Sequence, residues 1–388
     1  MTEREAQILK IIKKNPMISQ NEIADILQIT RSSVSVHITS LLKSGAIKGR
    51  GYVVSEPDYP IAIGAATVHL KSAFQQTESS ENGIHLQDGC EINLTFEGSA
   101  RNISENLVRL GEKPLMISAI ANDLFGNEIL RICQQHGIST EHCLLLNNEK
   151  STIYLEIINP KGLNITGLAN NTAEQNLTPD FLETKYNTLK NAKQIVMDDE
   201  LPQKSIEYIT SNFNSSDLFL LTTRNLSRIS NYRRYMERFN GLIFSFRTAC
   251  ELCGIPLIDS SQITHISDDQ ILEMSRKLCN CNVKDQIVIF PVPQNKLCYC
   301  CKDGTYLLEM PGSGDALNSF KTTRDAMMSG LMYASSYGFS IEKSILFIAA
   351  CHETSSEVNL PVNTFMCSDL VNRFADEIKK RSDLRKLI

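Results

Sequence analysis

The stretch Met310 to Leu331 reads M-P-G-S-G-D-A-L-N-S-F-K-T-T-R-D-A-M-M-S-G-L. It contains a glycine-flanked aspartate, Gly312-Ser313-Gly314-Asp315-Ala316, and a second Asp-Ala pair, Asp325-Ala326, ten residues on. A glycine-rich turn running into a helix N-terminus suits an anion, because free backbone amides and the helix dipole both point at it. An aspartate held in such a turn can take the proton from a hydroxyl that attacks a phosphate. The reading of the whole chain turns on which of the two aspartates occupies that position.

Outward from this stretch, strand-like and helix-like segments alternate from residue 60 to the C-terminus, which predicts a parallel-core sheet covered by helices, an α/β fold. Ile61–Ala66 reads as a buried strand, and residues 67–97 as a small β extension of short alternating runs. A helix is expected at Ser99–Leu110, then a strand at Pro114–Ile120 and a helix at Asp123–Gln135. Further strands are expected at Thr152–Ile158, Gln194–Met197, Leu218–Leu221, Gly241–Phe244 and Gln286–Phe290. Thr178-Pro179 pairs an N-cap with proline at the first helical position. The last helices are expected at Asp325–Tyr337, Ile341–Glu357 and Leu370–Arg381.

The first 54 residues are of another kind. Ala6, Ile8, Leu9, Ile11 and Ile12 make a helical stripe that Pro16 stops. Ser19-x-x-Glu22 is a capping box opening a second helix, and Thr30 caps a third, Arg31–Lys43, ended by Gly45. Ile47–Val54 reads as a short hairpin with Gly49-Arg50-Gly51 at its tip. Three helices and a basic hairpin predict a winged helix-turn-helix over residues 1–54. Its third helix would enter the major groove and present Arg31, Ser32, Ser33, Ser35 and His37 to bases or phosphates, with Lys48 and Arg50 on adjacent phosphates. Charge agrees: residues 1–52 hold eight Lys and Arg against four Asp and Glu, whereas the chain as a whole carries −5. Residues 55–60 form a polar, proline-punctuated linker to a body spanning 61–388. One such head makes few contacts, so a homodimer on a two-half-site operator is expected.

Composition excludes several classes. With 388 residues, 42% apolar and 21% charged, the chain is neither fibrous nor disordered. No apolar run reaches membrane-span length and no secretion segment opens the chain, so no membrane partner and a cytoplasmic location are expected. The spacings Cys250/Cys253 and Cys298/Cys301 suit zinc, but no nearby histidine completes a site; buried thiols and no metal are the expectation.

Three runs carry a resemblance. Glu97-Gly98-Ser99-Ala100-Arg101-Asn102-Ile103-Ser104-Glu105-Asn106-Leu107, Ile120-Ala121-Asn122-Asp123-Leu124-Phe125-Gly126 and Asp325-Ala326-Met327-Met328-Ser329-Gly330-Leu331 resemble signatures of ribokinase-like (PfkB) sugar kinases. With the winged head in front, the order is similar to helix-turn-helix fusions of the pseudouridine-kinase branch. The resemblance implies a ribokinase-like body with a small β lid around 67–97 that also builds dimers. It implies ATP and Mg2+ as cofactors and a small sugar or nucleoside as partner. An aspartate base takes the sugar hydroxyl's proton, and turn amides hold the phosphoryl charge.

Carried over residue by residue, the base falls on Asp325, at the start of the Ala-x-x-x-Gly-Leu helix, with Asp315 as runner-up. Thr322, Thr323 and Arg324 then stand where the family has its Gly-Ala-Gly anion turn, and Gly312–Ala316 becomes a look-alike loop. On the sugar side the resemblance marks Asn102, Arg101, Gly98 and His69, although Thr67 and His69 replace the family's strand-one Asn and Asp. Ser245 and Thr248 replace the N-x-x-E residues that position metal, and Asp198 keeps only the first acid of D-x-N-L. Two functions therefore stand side by side: a kinase fused to a DNA-binding head, or a kinase-derived sensor of a sugar or nucleoside that controls DNA binding.

Overall fold

Short apolar strands, each too hydrophobic to face water on either side, align as the centre of the body. The computed structural model describes residues 2–47, 59–73, 91–158, 164–170, 172–222, 225–255, 266–279, 285–310, 316–358 and 360–387. The expected wing residues Lys48 and Arg50, and the glycine-flanked turn through Asp315, lie outside the described residues. The chain divides into two compact units: residues 1–58 with Tyr186–Lys193, and Tyr59–Lys185 with Gln194–Ile388.

In the first unit, α1 (Glu3–Lys14), α2 (Gln20–Leu27) and α3 (Arg31–Lys43) surround a core of Ile8, Ile12, Ile23, Val34, Ile38 and Leu41. Ser19 and Glu22 form the expected capping box, Thr2 and Glu5 form a second, and the Thr30 hydroxyl accepts from the Ser33 amide. Gly45 takes φ +75° just past α3, where a side chain would be strained. Leu42 near the end of α3 is exposed.

In the second unit the strands are β1 (Pro60–Ile63), β2 (Thr67–Ala73), β3 (Ile92–Glu97), β4 (Leu115–Ile117), β5 (Ala119–Ala121), β6 (Leu144–Leu146), β7 (Ile153–Ile158) and β8 (Asn164–Ala169). They continue with β9 (Gln194–Asp198), β10 (Asp217–Leu221), β11 (Gly241–Ile243), β12 (Ile287–Val292), β13 (Lys296–Cys301), β14 (Gly304–Glu309) and β15 (Leu384–Lys386). Among the described residues, the main sheet has the order β15-β14-β13-β12-β11-β10-β9-β1-β4, with β12 through β4 parallel and the other edge antiparallel. Ala62 sits between Met116 and Val196 at its middle.

A separate sheet, β3-β2-β7-β8, makes the lid. It is larger than the 67–97 extension expected from sequence, because β7 and β8 join it from more than 50 residues downstream. A two-stranded sheet pairs β5 with β6.

The helices after α3 are α4 (Ser99–Arg109), α5 (Leu124–Gln135), α6 (Pro179–Glu183), α7 (Tyr186–Lys190, in the first unit), α8 (Gln203–Asn212), α9 (Ile229–Tyr232) and α10 (Phe246–Cys253). After them come α11 (Asp268–Leu278), α12 (Ala316–Ser336), α13 (Ile341–Ser356) and α14 (Ser368–Arg381). α4 is buried along its length and packs against β1 and α12; α12 packs also against α13.

The expected helix start at Asp325 is corrected by α12, which begins at Ala316, directly after Asp315, and takes in Leu317–Lys321. Asp325 is its tenth residue, about 14 Å along the axis from Ala316 at ~1.5 Å per residue.

Candidate functional site

Ligands of open parallel sheets bind outside the carboxyl ends of the strands. In this body those ends are Asp198 closing β9, Thr222 after β10 and Ser245 after β11, with the lid strands rising from β1 through Gly64 and Ala65.

Asp198 is buried, and its carboxylate accepts from the Ala65 amide at 2.9 Å, the Ser99 hydroxyl at 2.5 Å and the Glu200 amide at 3.0 Å. Burial still pushes its carboxyl up, against the pull of those donors. Two glycines make the approach feasible. A Cβ on Gly64, at φ +149°, would lie 2.1 Å from Asp198 Oδ2, and one on Gly98, at φ +107°, would lie 2.3 Å from the Ala65 carbonyl oxygen. Gly98, expected to touch the sugar, is thus required first for chain packing at the start of α4.

Across from Asp198, the Asn102 side-chain amide on α4 donates to Asp325 Oδ2 on α12 at 2.8 Å. Burial pushes the Asp325 carboxyl up to about 6; Arg324 and the Asn102 hydrogen bond oppose the rise, and Glu97 and Asp198 reinforce it. Near Asp198, the Tyr154 hydroxyl on β7 donates to both Glu200 oxygens at 3.0 Å, and Arg228 donates to the Glu200 carbonyl at 3.1 Å. Burial, then the nearby Asp198, pushes the Glu200 carboxyl up to about 7. Glu174, held by the Thr152 hydroxyl at 2.9 Å, is likewise pushed up to about 7 by burial. Asp198, Glu200, Glu174 and Asp325 are thus carboxyls of tempered acidity, the last of them paired with the Asn102 amide, a set suited to polyol hydroxyls and to proton transfer.

The lid contributes His69 on β2, whose Nδ1 lies 3.5 Å from Glu97 Oε2 and whose ring stacks on Tyr154 at 4.9 Å between centroids. Arg101, expected to touch ligand, is 5% exposed and turned inward to Asn102 and Glu105.

The expected anion turn at Thr322, Thr323 and Arg324 is corrected by the structure. All three lie inside α12, where backbone amides bond to carbonyls four residues back and cannot cradle a phosphate. Thr323 is buried and its hydroxyl meets His352 Nδ1 at 2.5 Å; Arg324 donates to the Thr222 carbonyl. Ser245 and Thr248 are also engaged, since Ser245 caps α10 by accepting from the Thr248 amide at 3.1 Å and the two hydroxyls meet at 2.8 Å.

Sequence reasoning missed Tyr154, Glu174, Glu200 and Arg228, which reach the site from separate segments. The only available signal was the acid Asp198, read as a retained remnant of D-x-N-L.

On α3, Arg31, Ser32 and Ser35 are exposed, while Ser33 and His37 are half-buried. The Glu5 carboxyl of α1 is held low chiefly by a hydrogen bond from Ser40 of α3 and by the Thr2 amide. Val36, 68% exposed, and Thr39 complete the exposed face of α3 and were not marked from sequence.

Both Cys250 and Cys253 are buried, and Cys298 and Cys301 sit on opposite faces of β13. Among the described residues no group of three His, Cys, Asp or Glu side chains gathers as a metal site, and no helix is long and apolar enough to cross a membrane.

Comparison with known proteins gives three kinds of match. The profile of the pfkB family of carbohydrate kinases matches residues 68–264, and that of winged helix-turn-helix DNA-binding domains matches residues 1–48. An Escherichia coli protein described as uncharacterized sugar kinase YeiI is 28% identical over 356 residues, covering 90% of this chain and 92% of that one. The pseudouridine kinase of Escherichia coli is 26% identical over 165 residues, 42% of this chain and 51% of that one. Among solved structures, a carbohydrate kinase from Agrobacterium tumefaciens superposes with TM-score 0.66 at 14% identity, over 84% of this chain and 100% of that one. The ribokinase of Arabidopsis thaliana, solved with ribose and ATP, superposes with TM-score 0.65 at 13% identity, over 82% and 99%. At such identities the structural likeness speaks for the ribokinase-like fold alone.

Proposed function

The chain belongs to the pfkB family of carbohydrate kinases and carries a winged helix-turn-helix domain at its head; from that premise we propose that it is a DNA-binding regulator whose kinase-derived body binds a small sugar or nucleoside and transfers phosphate to it poorly. The ligand's hydroxyls meet Asn102, Asp325 and Asp198, and DNA meets the exposed face of α3. Two heads acting as a homodimer would supply the affinity that one small domain lacks.

The observation that carries this reading is the helical state of Thr322–Arg324. Family kinases use ATP and Mg2+, and their chemistry depends on stabilising charge on the transferred phosphoryl group. Here the carboxyl placed beside the sugar amide and the positive end of its helix are about 14 Å apart, so the two do not serve one reacting centre. Losing one donor of an anion hole commonly costs about 10²–10³ in rate. The residues standing where the family positions its metal, Ser245 and Thr248, are neutral hydroxyls spent on capping α10, and they do not fit a divalent ion. A regulator tolerates these losses, because it needs only a ligand with different affinity for two states of the protein.

The test uses the full-length protein, a panel of pentoses, hexoses and nucleosides, and DNA from upstream of its own coding sequence. The expected result is a thermal-shift gain with one panel member, absent in Asn102→Leu, and a changed DNA affinity in its presence. Failure of every compound to move either quantity would reject the sensor.

A second reading, an active kinase, is favoured by one observation: Asp325 has a carboxyl raised to about 6 and a fixed hydrogen bond to Asn102, which suits a general base. Turnover of ATP with a sugar that is abolished by Asp325→Asn and kept by Asp315→Asn would establish it; the opposite pattern would assign the base to Asp315.

A further inference from the structure

Asn102 is buried between two groups of opposite demand. On one side the Arg101 guanidinium lies 3.0 Å from its oxygen, and on the other its nitrogen lies 2.8 Å from Asp325 Oδ2. An arginine side chain offers only donors and an ionised carboxylate only acceptors, so their placement fixes which end of the amide faces which. Arg101 is in turn gripped by Glu105 at 2.5 Å, and Glu105 is shared with Arg109 at 2.5 Å and with His136 at 2.9 Å. His136 ends α5 as its C-cap.

We infer that Arg101 is a positioning residue: clamped by Glu105, it occupies the carbonyl of Asn102 and so locks the amide with its N–H side toward Asp325. The inference rests on the proposed ligand site for its use and names what that site demands. A ligand hydroxyl entering between the two side chains accepts from the remaining Asn102 N–H and donates to Asp325. A hydroxyl can do both, whereas an ether oxygen or a carbonyl can do only the first. The locked orientation thus selects a free hydroxyl at this position over an ether oxygen or a carbonyl.

Without Arg101 the amide can flip, presenting its oxygen to the Asp325 carboxylate. That juxtaposition is repulsive, so Asn102 would spend part of its time turned away and Asp325 would lose a donor that favours its ionised form.

The experiment needs no ligand. The full-length protein is labelled with 15N, the Asn102 side-chain amide signals are identified by their loss in Asn102→Leu, and their positions are followed from pH 4.5 to 8. In the native protein they should move with a single midpoint near 6, the ionisation of Asp325. In Arg101→Met with Glu105→Gln, which removes both members of the buried pair, the midpoint should rise by about half a pH unit or more as the donor is lost part of the time. Arg101→Lys, which keeps one donor for the Asn102 oxygen, should restore the native midpoint.

An unchanged midpoint in the double variant would overturn the inference. So would loss of folded structure in both that variant and Arg101→Met alone, since the guanidinium would then be structural first. Failure of the ligand site reads differently, as native titration with no sugar or nucleoside bound.

Discussion

Replacing Asp325 by Asn should make the protein more stable at alkaline pH. The carboxyl sits in a half-buried position among Glu97 and Asp198, and its folded pKa rises from the ordinary 3.8 to about 6. In the window between these values the folded chain holds a proton that the unfolded chain has released, so stability falls as pH rises through it. Below the unfolded value the group contributes nothing, and above about 6 the penalty is complete. At ~1.36 kcal/mol per unit, the shift amounts to about 3 kcal/mol at pH 8 and about 1 kcal/mol at pH 4.5. Asn carries no charge and its carbonyl still accepts the Asn102 N–H, so the variant should escape most of that penalty. Urea unfolding of both proteins at the two pH values measures it, and taking differences cancels Glu174 and Glu200, which titrate in both. The expected outcome is a variant advantage that grows by about 2 kcal/mol from pH 4.5 to pH 8. An advantage independent of pH, or a variant less stable at pH 8, would refute the reasoning that this carboxyl is held at the expense of the fold. A group kept under such a penalty belongs to function rather than to folding.

Gly64→Ala should destabilise the body by about 2 kcal/mol or more and abolish any ligand-dependent thermal shift, because its Cβ would displace Asp198 from its three donors; native stability in that variant would contradict the described packing. Glu200→Gln should flatten the decline of stability between pH 5 and pH 8, since the Glu200 carboxyl is raised to about 7 and its ionisation is penalised across that range; thermal scans at several pH values check it. Arg31→Ala should weaken DNA binding and lower its salt slope by about one, as expected for the loss of an exposed cation from the head of α3; an unchanged slope in filter or anisotropy titrations would take Arg31 off the phosphates.

Local chemistry made much of the fold legible. The Ser19/Glu22 capping box, the Thr178-Pro179 helix opening and the buried run of α4 all declare themselves within a few residues, and each stands in the structure where expected. The length of α12 did not. Ala316–Arg324 includes Asn, Ser, Phe and two Thr, residues of middling helix preference, and Asp325-Ala326 imitates a helix opening. The same feature bears on the proposed function, since a helix that starts nine residues early, directly after Asp315, takes the residues before Asp325 into its interior. The lid was half legible because β2 and β3 are neighbours in sequence, whereas β7 pairs with β2 across about 80 residues, which no local pattern encodes. Arg101 illustrates a third kind of difficulty. The resemblance marked it for the ligand, but its guanidinium serves Glu105 and Asn102 behind the site, a distinction that only packing reveals.

The account's central claim is tested most directly by measuring phosphate transfer. Full-length protein is incubated with ATP, Mg2+ and whichever sugar or nucleoside raises its melting temperature, and ADP and phosphorylated product are quantified over time. The account predicts saturable ligand binding that needs Asn102, with product formed at least about 10²-fold more slowly than the ~1–100 s⁻¹ usual for kinases. Turnover in that usual range, lost in Asp325→Asn, would contradict it and make the protein a working kinase.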